Sequence, residues 1–360
     1  MAKPLRVLLL GYQGAGNAGD EIVLAGILDG MAAVAGGRPF EVRVLSGNPA
    51  ETRASHNVPA VPKFSMPAIA GSLLWCNCLV LAGGSLIQDT TSRRSAAYYL
   101  GVIQAAQALG KRVFLWAQGF GPLDDPKLRN KAGRLLARAS CNTLRDPLSL
   151  TELAGLGVPE TRLKLTADPA FLIGKALPQP QLDTDAAPVL GVALRPWPSM
   201  ERVGALLADA CRNFLNETSS RALFLPFQLP GDLEISRRGL DILNAPGEVL
   251  HTPPRPYEMV NLFRGITLTV GMRLHSLILS AMAGCPFVGL SYDPKVERFC
   301  QAAGMPCLTL DALSAGELQD LLLSVYTNRE TASRALVQFA AGQRETALQT
   351  ARLFWQCMED

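Results

Sequence analysis

Residues 266–280 read Ile266-Thr-Leu-Thr-Val-Gly-Met-Arg273-Leu-His275-Ser-Leu-Ile-Leu-Ser280, and the change of period inside this stretch decides the fold. Ile266 to Val270, rich in β-branched residues, reads as a buried strand. From Leu274 through Leu277, Ile278 and Ala281 the apolar spacing becomes three and four, which is helical. A strand that runs directly into a helix is the repeating unit of a parallel α/β sheet. Arg273 and His275 fall in the first turn of that helix, where unpaired backbone N–H groups and the positive end of the dipole favour an anion. An imidazole that titrates near neutrality beside a guanidinium fork suits proton transfer on a phosphorylated or carboxylated substrate. A helix start with a hydrogen-bonded histidine is the plainer alternative.

The same alternation extends in both directions. Val7 to Leu10, Val42 to Leu45, Cys78 to Ala82, Val113 to Ala117 and Cys141 to Leu144 read as strands with helical segments after most of them. A Pro- and Ala-rich segment, 175–188, interrupts the rhythm as a linker would. It restarts with Val189 to Leu194, Ala222 to Leu225, Val249 to His251, Ile266 to Val270 and Phe287 to Leu290. The fold expected is therefore α/β, with two Rossmann-like doubly wound domains over 1–174 and 189–328. A helical segment, 329–360, closes the chain without a following strand and is expected to pack back on the first domain.

At 360 residues the chain is long enough for two cores. Hydrophobic residues make up 48% and charged residues 18%, as in a globular enzyme, and a net charge of +3 gives no argument for nucleic acid. The apolar run Val7 to Leu10 passes at once into polar, Gly-rich sequence, so it reads as a first strand and not a signal peptide. The eight cysteines form no C-x-x-C pair and lie mostly in apolar runs, which suggests reduced core thiols in the cytoplasm and no structural metal.

In parallel sheets ligands bind beyond the carboxyl ends of the strands. Those positions hold Gly11 to Glu21, Gly83-Gly84-Ser85, Gln118 to Pro122, Arg145-Asp146, Arg195, Phe227-Gln228, Arg273 with His275, and Ser291 to Lys295. Arg145, Arg195, Arg273 and Lys295 together predict a small multi-anionic ligand in a cleft between the halves. Gly14-x-Gly16-x-x-Gly19 matches the dinucleotide fingerprint, but no acidic residue ends the second strand, so NAD is disfavoured. Asp20 and Glu21 fit acid–base chemistry or simple stabilisation of a helix start. His251 reads as a surface or core residue more readily than as a ligand contact, and His56, in a polar loop, receives no role. On a helix over 126–139, Lys127, Lys131, Arg134 and Arg138 share one face and Leu128, Ala132, Leu135 and Ala139 another. Such a face is either simply solvated or suited to anionic lipid headgroups.

Taken in order, GYQGAGNAGDE, AGGSLIQD, AQGFGPL, LRDPLSLTELAGLGV, TADPAF, RPW, LPFQ, GMRLHSL and SYDPKV resemble the polysaccharide pyruvyl transferase family, particularly its bacterial cell-wall branch. The likeness runs from Gly11 to about Lys295. It implies a glycosyltransferase-B-like architecture. It also implies transfer of the carbons of phosphoenolpyruvate, as a co-substrate and without a cofactor, to two hydroxyls of one sugar as a 4,6-ketal, with release of phosphate. The implied acceptor is a β-linked N-acetylmannosamine of a lipid-linked saccharide, and the finished polymer would anchor S-layer proteins. By the matching motifs, His275 would be general acid or base, Arg145 and Lys295 would join it in catalysis, and Arg273 and Arg195 would hold the donor's anionic groups. Gly14, Asn17, Asp20, Gly83, Gly84, Ser85 and Gln228 complete the substrate-binding set. Ala82 stands where a third glycine is common in the family, and Gln13 where an aromatic is frequent. A lipid-linked acceptor would give Lys127, Lys131, Arg134 and Arg138 a purpose, peripheral contact with the inner membrane face. Two competing readings remain, a nucleotide-sugar-dependent glycosyltransferase of the same architecture and a non-catalytic anion-binding Rossmann protein.

Overall fold

A computed structural model of the chain describes residues 3–90, 92–174 and 187–359. The chain divides into two compact units, 1–175 with 343–360, and 176–342. All but the last two residues of the expected linker 175–188 lie outside the described residues.

The first unit is built on seven strands, β1 (Leu5–Leu10), β2 (Phe40–Ser46), β3 (Ala60–Pro62), β4 (Cys78–Ala82), β5 (Arg112–Gln118), β6 (Cys141–Leu144) and β7 (Leu163–Leu165). They form one sheet in the order β3-β2-β1-β4-β5-β6-β7. The second sheet contains β8 (Val189–Ala193), β9 (Arg221–Phe224), β10 (Gly247–Val249), β11 (Leu268–Gly271), β12 (Phe287–Ser291) and β13 (Cys307–Thr309), in the order β10-β9-β8-β11-β12-β13. The recorded ladders are parallel throughout. Helices cover both faces, so the central strands are apolar on both sides; β4, β8 and β12 are buried along their whole length. This is the two-domain α/β architecture expected.

Each strand order reverses once, between β1 and β4 in the first sheet and between β8 and β11 in the second. Such reversals open a crevice beyond the carboxyl ends. Register brings the relevant ends level. Leu10 pairs with Leu45 and Leu81, and Ala193 pairs with Gly271.

The closing helix, Arg329–Glu359, belongs to both units, since the chain passes from one to the other at 342/343. Its last turns complete the first core. Phe354 stands edge-on to Phe114 at 5.4 Å, and the Trp355 indole donates to the Met31 carbonyl at 3.1 Å. Strands β3, β7 and β13, each of three residues, are absent from the sequence reading, and β11 begins two residues later than Ile266. The basic helix is also shorter than expected. It spans Pro126–Leu136, with Ala137 as its C-cap, because the chain must turn there to enter β6 at Cys141. Arg138 therefore lies beyond the helix.

Candidate active site

In the first unit, Arg145 emerges from the end of β6 and is held by two partners. Its Nη1 donates to Asp168 Oδ2 at 2.7 Å and its Nη2 to Ser85 Oγ at 3.2 Å. Asp168 is buried at the close of β7, and its other oxygen accepts from the Ala170 amide at 3.0 Å. Ser85 stands one residue past Gly83-Gly84, both with positive φ, a conformation that favours glycine. A Cβ on Gly119 would stand 2.3 Å from Ser85 Oγ and 3.4 Å from Arg145 Nη2. The bare backbone at Gly119 thus leaves room for this triad. The Gln118 amide donates to the Gly83 carbonyl at 2.6 Å, tying β5 to the Gly-Gly turn.

Beyond β1, the loop from Gly11 leads into the helix Ala18–Val34. Asn17 caps it, its side chain accepting from the Gly19 amide. Gly14 is tight for a different reason than ligand approach: a Cβ there would meet Ser46 Oγ and the Asn48 amide, both at 2.2 Å. Glu21 in the first turn accepts from the Gly14 amide at 2.7 Å, and its second oxygen meets His56 Nε2 at 2.8 Å. The sequence places His56 in a polar loop, but it ends the helix Pro49–His56 with its side chain 1% exposed. Asp20 lies beside Gly84, its Oδ1 3.5 Å from where a Cβ would stand.

In the second unit, Arg273 is the N-cap of the helix Leu274–Ala283, which places His275 in its first turn as the spacing predicts. Arg273 is gripped by Asp232, with its Nε donating to Oδ2 at 2.9 Å and its Nη2 to Oδ1. Asp232, fully buried, also accepts from the amides of Phe227 at 3.1 Å and Gln228 at 2.9 Å. Four donors on one buried carboxylate make it a fixed anchor for the arginine. His275 is half-buried.

Arg195, after β8, lies with its guanidinium 4.3 Å from the centre of the Tyr292 ring, and the Lys295 amine stands 5.8 Å from the same centre. Lys295 pairs with Asp293 at 2.9 Å. Burial opposes ionisation of Asp293, but the Lys295 charge and hydrogen bonds, with Arg298 nearby, hold it below the usual carboxylate range. Arg195 and Lys295 thus share one tyrosine, and together they make a positive corner suited to an anion. His251, by contrast, is an exposed residue bonded to Arg237 Nη2 through Nδ1 at 3.2 Å.

The residues expected from sequence fall into two groups, each within its own unit: Arg145 with Ser85, and Arg195, Arg273, His275, Lys295 and Gln228. Asp168 and Asp232 were not singled out. Asp168 sits in the quoted TADPAF string, immediately after a strand too short to recognise, whereas Asp232 lies inside a polar helix start where a capping role is the default reading. Lys63 is a further missed residue, 4% exposed just after β3. On the far side of the first sheet, Lys131, Arg134 and Arg138 line a recess of about 420 Å³ with Gln104 and Gln107. These three cations have no carboxylate partner among the described residues.

Among the described residues no group of three or more His, Cys, Asp or Glu side chains could hold a metal ion, and no helix is long and apolar enough to cross a membrane. All eight cysteines are free thiols.

A family model for polysaccharide pyruvyl transferase matches residues 17–294. The amylovoran biosynthesis protein AmsJ of Erwinia amylovora is 22% identical, across 86% of this chain and 89% of its own. Among solved structures, Anabaena Alr3699/HepE in complex with UDP-glucose superposes with a TM-score of 0.64 at 12% identity, covering 99% of this chain and 98% of that one. A UDP-N-acetylglucosamine 2-epimerase from Neisseria meningitidis bound to UDP-GlcNAc gives 0.64 at 11% identity, covering 98% and 99%. At such identities the structural likeness establishes the fold, that of two-domain glycosyltransferases and epimerases, and nothing about the ligand.

Proposed function

Because the chain belongs to the polysaccharide pyruvyl transferase family, we propose that it transfers the three carbons of phosphoenolpyruvate to two hydroxyls of a sugar as a cyclic ketal. The observation that carries this reading is that the family match, over residues 17–294, includes Arg145, Arg195, Arg273 and His275 and stops one residue short of Lys295.

The chemistry requires two proton movements. One acceptor hydroxyl adds to C2 of the donor while the methylene carbon gains a proton and becomes a methyl group. The second hydroxyl then displaces phosphate, and its proton leaves with that dianion. His275 is the group assigned to the first exchange, because an imidazole can give or take a proton near neutrality. Arg195 and Lys295 are assigned to the donor's phosphate and its departing charge. The planar fork of Arg273, oriented by Asp232, suits the donor carboxylate. In the first unit, Arg145 and Ser85 present donors to the acceptor side, with Asp20, Asn17 and the Gly83-Gly84 turn.

AmsJ is named for amylovoran biosynthesis, which supports a saccharide of a bacterial polysaccharide under assembly as acceptor. A lipid-linked β-N-acetylmannosamine, whose pyruvylated polymer would anchor S-layer proteins, is the first acceptor to try. The recess of Lys131, Arg134 and Arg138, together with Lys127, would hold the protein against the anionic inner face of the membrane where such an acceptor resides.

The test is phosphate release from phosphoenolpyruvate with and without a synthetic lipid-linked N-acetylmannosaminyl disaccharide, with mass spectrometry of the product. Acceptor-dependent phosphate release and a mass gain of one pyruvate ketal are expected. Turnover of a nucleotide sugar with nucleotide release, and none of phosphoenolpyruvate, would replace this reading by glycosyl transfer.

A further inference from the structure

Beside Asp20, already assigned to the acceptor side, the carboxyl edge of β1, β2 and β3 carries a second cluster. Lys63 follows β3 directly and is anchored through its backbone, its amide donating to the Ser46 carbonyl at 2.9 Å and its carbonyl accepting from the Tyr98 hydroxyl. The residue is 4% exposed, and no hydrogen bond or ion pair to its amine is seen among the described residues. It lies instead against two rings, 4.8 Å from the centre of Tyr12 and 5.3 Å from that of Phe64. A lysine packed this closely loses much of its hydration, and ring faces recover part of that cost.

The rings are unusual in the opposite sense. Phe64 is 74% exposed and Tyr12 40%. Phe64 leans on Tyr98 at 5.6 Å, which fixes its orientation while leaving most of its surface open. Glu21 stands close by in the electrostatic sense, as does Asp20: both carboxylates raise the Lys63 amine's proton affinity against the larger effect of burial, which lowers it. Glu21 is itself pinned, between the Gly14 amide and His56.

We propose that Phe64, Lys63 and Asp20 form a saccharide subsite that takes a pyranose ring of the acceptor. An open aromatic face accepts the slightly positive C–H bonds of a sugar's apolar face. Lys63, which lacks a hydrogen-bond acceptor of its own, supplies a charged donor to a hydroxyl or acetamido oxygen, and Asp20 accepts from a neighbouring hydroxyl. An anionic ligand such as the donor would meet the acidic pair at this place, so the cluster suits a neutral, hydroxyl-rich ring better than a phosphate. The subsite deepens the pyruvyl-transfer reading and rests on it for the identity of the sugar as acceptor.

The test uses the full chain and saturation-transfer NMR with the methyl β-glycosides of N-acetylmannosamine, glucose and galactose. Ring C–H protons of at least one glycoside should take up saturation from the wild type. Phe64→Ala, at an exposed position that leaves the fold intact, should weaken that binding roughly fivefold. Lys63→Met should weaken it about tenfold, with phosphoenolpyruvate affinity unchanged in both variants. A purely structural role for Lys63 would lower thermal stability without this split between glycoside and donor. No uptake by any glycoside, or wild-type affinity in both variants, overturns the subsite. Failure of the pyruvyl-transfer reading shows separately, as absence of phosphate release from phosphoenolpyruvate, and leaves glycoside binding measurable.

Discussion

Arg273 is fastened to Asp232 by two parallel hydrogen bonds, and the same carboxylate accepts the amides of Phe227 and Gln228. The arginine is therefore oriented before any ligand arrives. Asp232→Ala would leave a guanidinium without its counter-charge, and the buried Phe227 amide and part-buried Gln228 amide unpaired. Urea denaturation should show a loss of about 3–5 kcal/mol with an unchanged slope. A loss below about 1 kcal/mol would mean that the pair behaves as a solvent-exposed one.

His275→Ala should reduce ketal formation about 10²–10⁴-fold, read as acceptor-dependent phosphate release, while donor affinity stays near that of the wild type. A near-normal rate would refute the assignment. For donor binding, Arg195→Ala is a cleaner probe than Arg273→Ala, since Arg195 faces a tyrosine ring and its loss strands no buried acid. Its main effect should be a raised KM for phosphoenolpyruvate.

Gly26 lies in the middle of the helix Ala18–Val34, and a Cβ there would come within 1.9 Å of the Pro169 carbonyl oxygen. The contacted oxygen is backbone and cannot swing aside, and Pro169 adjoins Asp168, the anchor of Arg145. Gly26→Ala should thus cost about 1–3 kcal/mol by overpacking and also lower turnover by displacing Arg145. Full activity with normal stability would show that the turn after β7 can yield freely.

Burial holds the Lys63 amine below its ordinary value of 10.5, against the opposing charges of Asp20 and Glu21. A lysine whose pKa is lower folded than unfolded weakens the fold while charged in both states. The penalty is complete below the folded pKa and disappears as pH rises toward the unfolded one. Lys63→Met should therefore be more stable than the wild type at neutral pH, and the gap should close as pH approaches ten and beyond. The groups facing this amine are Asp20, Glu21 and the rings of Tyr12 and Phe64, with His56 behind Glu21. A gap independent of pH would assign the effect to packing alone.

Replacing Lys127, Lys131, Arg134 and Arg138 by Gln should abolish sedimentation with anionic phosphatidylglycerol vesicles at low salt and leave phosphate release with a soluble acceptor unchanged. Unaltered vesicle binding would sink the membrane role.

Much of this architecture was legible because buried parallel strands announce themselves. Cys78–Ala82 is an uninterrupted apolar run, and its limits and those of Cys141–Leu144 agree with the sequence reading to the residue. The strands that escaped notice, β3, β7 and β13, are three residues long and partly exposed, so they carry neither an apolar run nor a period. The arginines and His275 were legible as residues following strands. Their anchors were not, because a carboxylate such as Asp232 is indistinguishable in sequence from one that merely favours a helix start. His56 and Lys63 were hidden for a related reason. Both sit near short edge strands, in sequence polar enough to look solvated, and only the sheet order brings them to the loop after β1.

The closing helix also sets an order of events during synthesis. Phe354 and Trp355 fill the same core as Phe114, Trp116 and Val7, so that face of the first unit stays unfilled until the whole of the second unit has left the ribosome. The second unit, whose residues run without interruption from 176 to 342, has all its parts available earlier. The unit that holds β1 is thus completed after the unit that follows it, and in the interval Phe114 and Trp116 are exposed to chaperones and proteases.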